Sequence, residues 1–279
     1  MGKLMIPDYR DDIEETILPD SDSEKEAQEA DVKPAVADTS ENRNEENNEE
    51  AGEHFTPREV IELMTHLVFD PVKDQLPLTM TVYDPACGSG GMLTESQNFI
   101  EEKYPNDNRD IYLYGKEIND ETYAICKSDM MIKGNNPENI KVGSTLSTDE
   151  FASSRFDFML SNPPYGKSWA SEQKHIKDGS DVIDPRFKVS LKDYWGNVEV
   201  VDATPRSSDG QLLFLMEMVN KMKDPSVSPH GSRIASVHNG SSLFTGDAGG
   251  GESNIRRFII ENDMLDAIVQ LPNNLFYNT

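Results

Sequence analysis

The sequence predicts an α/β fold with a doubly wound, mostly parallel sheet. From residue 54 onward, short runs with the hydrophobic alternation of strands take turns with runs that have the hydrophobic period of helices. Strands are predicted over 81–84, 111–115, 139–142, 156–160, 233–237 and 265–270, and helices over 90–103, 119–133, 210–223 and 252–262. Strand–helix alternation of this kind needs crossover connections, which pair the strands in parallel and place helices on both faces of the sheet.

An acidic segment precedes the predicted domain. Residues 1–53 hold 18 acidic and 5 basic residues, which accounts for just over half of the net charge of −25. Residues 20–50 lack aromatic side chains and a sustained hydrophobic period, a composition that buries too little apolar surface to fold. The sequence therefore predicts a disordered or irregular segment over 1–50, either a solvated tail or an acidic docking segment, and a folded domain over 51–279.

The composition argues against several classes of protein. An acidic chain does not bind nucleic acid through its charge alone, because affinity for phosphates comes largely from Lys and Arg; a catalytic subunit whose partner binds the nucleic acid stays open. Cys87 and Cys126 are too few for a disulfide framework or a zinc cluster, and no metal site is predicted. No stretch resembles a signal peptide or could span a bilayer, so we expect a cytoplasmic protein without membrane contact.

The first ordered element is a predicted helix that begins near residue 56. Thr56 is the candidate N-cap, Pro57 takes the first helical position, and Glu59 completes a capping box. The predicted buried face repeats with the helical period and consists of Val60, Leu63, Met64 and Leu67.

Segment 167–209 interrupts the alternation of strands and helices. It is polar, it carries Trp169 and Trp195, and it is too long for an ordinary connection in an α/β unit. We therefore expect a functional insertion there.

A glycine-rich loop follows the first predicted strand in the stretch VYDPACGSGGML, residues 82–93. Gly88, Gly90 and Gly91 allow a sharp turn and a close approach of a ligand to the backbone, and the helix that follows offers free N–H groups at its N-terminus. The spacing matches neither the dinucleotide-binding fingerprint nor a P-loop, so the loop alone is weak support for a cofactor site.

An acid ends the second predicted strand, since Glu117 lies 33 residues after Asp84. At this place in a doubly wound sheet a carboxylate can accept two hydrogen bonds from a ribose diol. Taken alone, Glu117 would be a surface residue. Together with the glycine loop it favours a nucleoside-containing cofactor that has no pyrophosphate.

The tetrapeptide NPPY, residues 162–165, follows the fourth predicted strand. Ligands bind outside the carboxyl ends of parallel strands, so NPPY is expected to face the same crevice as residues 84–91. The side-chain carbonyl of Asn162 and the main-chain carbonyl of Pro163 suit a planar –NH2 group, and Tyr165 can stack on the ring that carries it. The alternative interpretation is a proline turn at a strand end.

The chain resembles the modification (M) subunit of type I restriction–modification systems, a site-specific, S-adenosylmethionine (SAM)-dependent adenine-N6 DNA methyltransferase. The resemblance covers about residues 48–279 and rests on the stretches NEEAGEHFTPREVIELM, YDPACGSGGML, ICKSDMMIKG, FDFMLSNPPYG, SDGQLLFL, GDAGGGESNIRRFIIENDMLDAIVQLP and LFYNT. It implies a Rossmann-like methyltransferase fold, methyl transfer from SAM to N6 of adenine in DNA, and the motif order of γ-class amino-methyltransferases.

The resemblance also implies two sets of site residues. The cofactor-binding set is Phe55, Thr56 and Pro57 against the methionine part of SAM, Asp84, Gly88 and Gly90 in its main pocket, Glu117 on its ribose and Ser144 on its adenine. The catalytic set, which is expected to hold a flipped target adenine, is Asn162, Pro163, Pro164 and Tyr165.

Two departures from the family pattern bear on activity. Ser144 stands where the family usually has Asn or Asp, and its shorter side chain lowers the expected affinity for the cofactor. The chain ends at FYNT, where the family continues into another strand and a C-terminal helical region. The resemblance thus implies a fragment that lacks the last strand of its sheet and that can be inactive in isolation.

The partners that the resemblance implies are DNA, a specificity subunit, a restriction subunit and a second copy of the chain. Two other functions stay open. A protein-glutamine methyltransferase would use the same two acceptors, because NPPY also occurs in that class of enzyme. A non-catalytic, truncated scaffolding subunit would bind its partners without binding SAM.

Overall fold

The computed structural model describes residues 56–105, 109–228, 231–273 and 275–276. The chain divides into the units 1–44 and 45–279, and every described residue belongs to the second unit. The predictions for the acidic segment 1–50 and for Phe55 therefore lie outside the described residues.

The described residues form α-helices, β-strands and short 3-10 helices. The helices are α1 (Arg58–Phe69), α2 (Gly91–Lys103), α3 (Asp120–Ile132), α4 (Gln173–Ile176), α5 (Gln211–Asn220) and α6 (Gly251–Glu261). The strands are β1 (Thr79–Asp84), β2 (Asp110–Glu117), β3 (Ile140–Val142), β4 (Phe158–Ser161), β5 (Lys177–Asp178), β6 (Asp181–Val182), β7 (Lys188–Lys192), β8 (Val198–Asp202) and β9 (Arg233–Ser236). The 3-10 helices are Asp70–Gln75, Pro137–Asn139, Pro185–Phe187 and Gly240–Leu243.

The main sheet has five strands in the order β3-β2-β1-β4-β9, and all of them are parallel. In its register Tyr83 lies beside Tyr114 and Met159, and Phe158 lies beside Arg233. This confirms the predicted doubly wound α/β fold. Parallel pairing also brings the carboxyl ends of all five strands to one edge.

Both faces of the sheet are covered, as the near-continuous hydrophobic strands predict. Val82 and Leu160 face α1 and α2 and share one core cluster with Met64 and Leu93. The opposite face carries a second cluster, which consists of Tyr83, Phe151, Phe156, Met159 and Met218. The sheet is therefore the rigid centre from which the loops at its carboxyl edge extend.

Helix α1 begins one residue later than predicted and has a different cap. Its first residue is Arg58, Pro57 is the N-cap, and no side chain caps the helix, so the prediction of a Thr56 cap is wrong. The Thr56 hydroxyl accepts a hydrogen bond from Asn162 Nδ2 at 3.1 Å instead. A contact 106 residues along the chain has taken the place of a local one.

The buried face of α1 also differs from the predicted stripe. It consists of Val60, Met64, Thr65, Val68 and Phe69. Leu63 and Leu67, which were predicted to be buried, are 36% and 38% exposed. The helix presents its i, i+4 row to α2 and β9, which leaves the two leucines at the margin of the contact.

Residues 265–270 are not a strand, so this prediction is wrong. Alternating apolar residues form a strand only beside a partner that supplies hydrogen bonds, and β9 is the last described strand at this side of the sheet. Leu265 and Val269 are consequently about half exposed. An ion pair between Arg233 Nη2 and Asp266 Oδ2, 2.9 Å long, joins the segment to β9.

Segment 167–209 folds over apolar residues of its own. β5 pairs with β6 and β7 pairs with β8, both antiparallel. Trp169, Phe187 and Leu191 are buried in a cluster that includes residues of α5 and α6. Trp195, by contrast, is 82% exposed in the turn between β7 and β8.

A buried ion pair fastens this segment to the main sheet. Arg186 Nη1 donates to Glu217 Oε2 at 3.0 Å and to the Thr145 carbonyl at 2.8 Å. Asp184 accepts further bonds from the same guanidinium group, and Tyr83 donates to Glu217 Oε1 at 3.2 Å. Arg186 and Glu217 are 4% and 1% exposed, so neither charge can turn to water if the other is lost.

The packing of β2 against the glycine loop predicts that Gly115 tolerates no side chain. An added Cβ would lie 2.8 Å from Cys87 Sγ and 3.2 Å from Leu93 Cδ1. Gly115→Ala should therefore lower the free energy of unfolding by about 1–3 kcal/mol in urea denaturation. Gly240→Ala is the matched control, because nothing lies within 4 Å of its Cβ. Equal losses in the two variants would contradict the packing.

Candidate active site

The carboxyl edge of the sheet brings the predicted site residues together. Asp84 and Glu117 end β1 and β2, Ser144 follows β3 by two residues, and Asn162 directly follows β4. The crevice outside such an edge is where open α/β sheets bind their ligands.

The carboxyl group of Asp84 is buried and accepts hydrogen bonds from two donors. Its Oδ1 accepts from the Ala86 backbone N–H at 3.0 Å and from Ser161 Oγ at 2.7 Å. Burial raises the pKa of Asp84 to about 7, against the lowering effect of these two hydrogen bonds, and the nearby Glu117 raises it further. A ligand with a positive charge would stabilise the ionised form of this group.

Glu117 holds the glycine loop against the end of β2. Its Oε2 accepts from the Gly88 backbone N–H at 2.9 Å, and its Oε1 accepts from the Asn119 backbone N–H at 2.8 Å. Each carboxylate oxygen can accept a second bond, so hydroxyl groups of a ligand can still bind.

The glycine loop approaches α3 too closely for larger residues. Gly88 and Gly90 have φ angles of 54° and 90°, in the left-handed region that glycine adopts without strain. A Cβ on Gly90 would lie 2.9 Å from Cys126 Sγ. Cys87 and Cys126 both lie in the main core, and the Cys126 thiol together with burial raises the pKa of Cys87. Both cysteines are therefore buried packing residues.

The NPPY loop holds an unpaired acceptor. Asn162 Nδ2 bonds to Thr56, while Asn162 Oδ1 is buried and has no hydrogen-bond partner among the described residues. Pro163 is buried, Pro164 is exposed and Tyr165 is half-buried. A buried oxygen without a partner is uncommon and is satisfied when a donor such as an amino group binds beside it.

The far end of the NPPY loop is held by a segment that lies 43 residues further along the chain. Asp209 Oδ1 accepts from the Gly166 backbone N–H at 3.1 Å, and the Gly210 backbone N–H donates to the Lys167 carbonyl at 3.0 Å. The loop is thus fixed at both ends, by Thr56 and by Asp209.

Sequence reasoning missed Ser161, Asp209 and Gln211 as parts of the site. Ser161 supports Asp84, and Asp209 accepts from both Gly166 and the Gln211 side chain. The stretch SDGQLLFL contains two of these residues, but nothing in its local pattern indicates which loop it meets.

A cavity of about 320 Å³ lies at the opposite edge of the sheet. Tyr104, Asp110 and Asn135 are among the residues that line it, and none of the predicted site residues does.

In the described part of the chain no helix is both long and apolar enough to cross a membrane. Within the same ranges no group of three or more His, Cys, Asp or Glu side chains is arranged to hold a metal ion.

The chain belongs to the N-6 DNA methylase family, whose model matches residues 40–279. It is 31% identical over 229 residues to the type I restriction enzyme MjaVII methylase subunit of Methanocaldococcus jannaschii. The match covers 81% of this chain and 34% of that relative, so the chain spans about a third of the relative's length. The resemblance that the sequence motifs indicate is confirmed.

Solved structures confirm the Rossmann-like methyltransferase fold. A type I restriction–modification system methyltransferase subunit from Streptococcus thermophilus matches with a TM-score of 0.61 and 26% identity, over 81% of this chain and 42% of that chain. A protein from Listeria monocytogenes, described as a class I S-adenosylmethionine-dependent methyltransferase, matches with a TM-score of 0.52 and 15% identity, over 75% of this chain and 53% of that chain. The second likeness concerns the fold alone.

The raised pKa of Asp84 predicts a specific dependence of stability on pH. Between about pH 4 and pH 7 the unfolded carboxyl group loses its proton before the folded one does, so the free energy of unfolding should fall as the pH rises. Asp84→Asn keeps the oxygen that accepts from Ala86 and Ser161 but cannot ionise. By pH 8 the variant should exceed the wild type by on the order of 4 kcal/mol, and below pH 4 the two should agree.

Urea denaturation of both proteins between pH 4 and pH 8 measures this difference. All other titrating groups are shared, so the difference between the two curves isolates Asp84. Parallel curves over this range would show that folding does not raise the pKa of Asp84, and would contradict the prediction.

Proposed function

We propose that the chain carries the cofactor and target-base sites of a type I modification subunit and methylates N6 of adenine in DNA. One observation supports this above all. The glycine loop and the buried carboxyl groups of Asp84 and Glu117 lie at the same sheet edge as the NPPY loop, whose Asn162 Oδ1 has no hydrogen-bond partner among the described residues. Membership of the N-6 DNA methylase family is in agreement with it.

The residues at the carboxyl ends of β1 and β2 fit SAM. The left-handed Gly88 and Gly90 leave the backbone open to a ligand, Glu117 retains acceptor capacity for ribose hydroxyls, and Asp84 gains from a cationic group. Thr56 and Pro57 contact the methionine part of SAM, and Ser144 contacts its adenine. Bound SAM supplies an electrophilic methyl group.

The NPPY loop binds and activates the target base. Asn162 Oδ1 and the Pro163 carbonyl accept the two hydrogens of the N6 amino group, and Tyr165 stacks on the ring. These bonds draw the nitrogen lone pair out of conjugation with the ring and orient it for attack, while Pro164 restricts the loop to one conformation. Holding both reactants in one crevice supplies much of the rate, and no covalent intermediate with the protein is needed.

Recognition of DNA needs partners. A net charge of −25 gives the chain little affinity for phosphates, so a specificity subunit provides the grip on DNA and the choice of site. A restriction subunit and a second copy of the chain complete the assembly, which acts on flipped adenines in the cytoplasm.

Calorimetry with SAM tests the cofactor site. We expect the wild-type chain to bind SAM, and Asp84→Ala to weaken binding at least tenfold, because the variant loses the carboxyl group that supports the end of β1. Glu138→Ala is the matched control, since Glu138 is an exposed carboxylate that pairs only with Lys127 among the described cations. Its affinity for SAM should equal that of the wild type.

A folded wild-type chain that does not bind SAM would contradict the proposed function. Circular dichroism of each protein before the titration shows whether it is folded. Equal losses of affinity in Asp84→Ala and Glu138→Ala would place the cofactor elsewhere.

A further inference from the structure

Buried polar atoms without partners concentrate at one place in the described part of the chain. The described residues contain four such side-chain atoms. Three of them lie at the carboxyl ends of β4 and β9: Asn162 Oδ1, Ser236 Oγ and His238 Nε2. The fourth, Arg233 Nε, lies at the amino end of β9. Since such atoms are uncommon in folded proteins, three of them at the same end of the sheet call for an explanation.

The surroundings of Gln211 fix the hydrogen positions on His238. Gln211 Nε2 lies 2.7 Å from Asp209 Oδ2, and because a carboxylate accepts, the nitrogen of this amide must be the atom that faces it. Gln211 Oε1 then accepts from the Asn239 backbone N–H at 3.0 Å and lies 3.1 Å from His238 Nδ1. An oxygen without a hydrogen can bond to Nδ1 only if Nδ1 carries the proton.

His238 Nε2 is therefore a lone-pair acceptor. Burial lowers the pKa of His238 to about 4, although the charge of Asp209 acts in the opposite direction. The ring is neutral near pH 7, and its one hydrogen is engaged by Gln211. What Nε2 lacks is a donor.

The strand register places this acceptor next to the NPPY loop. Ser161 lies beside Ser236, and the Val237 backbone N–H donates to the Ser161 carbonyl at 3.0 Å, which continues the ladder by one step. Counting on in the same register, Asn162 corresponds to Val237 and Pro163 to His238. Asn162 reaches toward Thr56 before α1, whereas His238 reaches toward Gln211 at the start of α5, so the two side chains approach the loop from opposite faces of the sheet.

We propose that His238 is a further catalytic residue, whose Nε2 accepts a hydrogen bond from the N6 amino group of the target adenine. The proposal rests on the proposed function, which puts that amino group at Asn162 and Pro163. One N6 hydrogen faces Asn162 Oδ1, and the other is shared by the Pro163 carbonyl and His238 Nε2. The N6 amino group is the only N–H donor on the adenine base in DNA, so it is the only group of the base that can donate a hydrogen bond to His238 Nε2.

This arrangement also contributes to the choice of base. Guanine and thymine present a carbonyl oxygen where adenine and cytosine present an amino group. A carbonyl oxygen opposite Nε2 would place two acceptors together without a hydrogen between them, which leaves both unpaired. His238 therefore rejects guanine, the other purine, at the step where the base enters the pocket.

The test compares two bases and three proteins. DNA that carries the target adenine is compared with DNA that carries purine, which lacks the amino group, at the same position. Binding is measured by fluorescence anisotropy with the full chain assembled with its specificity subunit. The variants are His238→Asn, whose side-chain amide can still donate to Gln211 but has nothing at the position of Nε2, and His238→Gln, whose longer side chain can return an acceptor oxygen there.

We expect His238→Asn to weaken binding of the adenine DNA about fivefold or more and to leave binding of the purine DNA unchanged. His238→Gln should recover part of the loss. An adenine-to-purine affinity ratio in His238→Asn equal to that of the wild type would overturn the assignment; if both DNAs are weakened equally, the role of His238 is structural. SAM binding by the wild type, measured separately, shows whether the proposed function itself has failed.

Discussion

Arg186 and Glu217 form an ion pair that is closed off from water, and the arrangement of the site depends on it. The pair joins segment 167–209 to α5, and through Tyr83 it reaches the centre of the sheet. Loss of Glu217 would leave Arg186 without one of its two carboxylate partners, and loss of Arg186 would leave the buried Glu217 carboxylate with Lys221 Nζ at 4.0 Å. Segment 167–209 ends in Asp209, which accepts a hydrogen bond from Gly166, so this segment connects the NPPY loop to the buried charge pair.

The parallel pairing of the strands determines where the site residues lie. All five strands end at the same edge of the sheet. Asp84, Glu117 and Asn162 therefore lie at that edge, although Asp84 and Asn162 are far apart in the sequence. The groups at the ends of the different strands suit different ligands. The carboxyl groups at β1 and β2 suit a cofactor with a positive charge and ribose hydroxyls, whereas the carbonyl oxygens after β4 suit an amino group.

The elements that depend on local pattern could be predicted, and those that depend on distant contacts could not. The five sheet strands and the glycine turn follow from hydrophobic runs and from residue types with special backbone freedom. Thr56 was expected to cap α1 because it fits the local rule, but Asn162 engages its hydroxyl. Residues 265–270 have a strand pattern, but no described strand pairs with them. Gln211 and His238 have no local signature, because the hydrogen bond between them joins residues that lie 27 positions apart in the sequence.

Identification of the methylated product tests the account most directly. The chain, its specificity subunit and DNA with the target site are incubated with methyl-labelled SAM, and the DNA is digested to nucleosides and the protein to amino acids for chromatography. The account predicts label in N6-methyl-2′-deoxyadenosine from the DNA, and none with Asn162→Ala, which should still bind SAM. Label in glutamine of a protein, or no transfer by a folded complex that binds SAM, would contradict it.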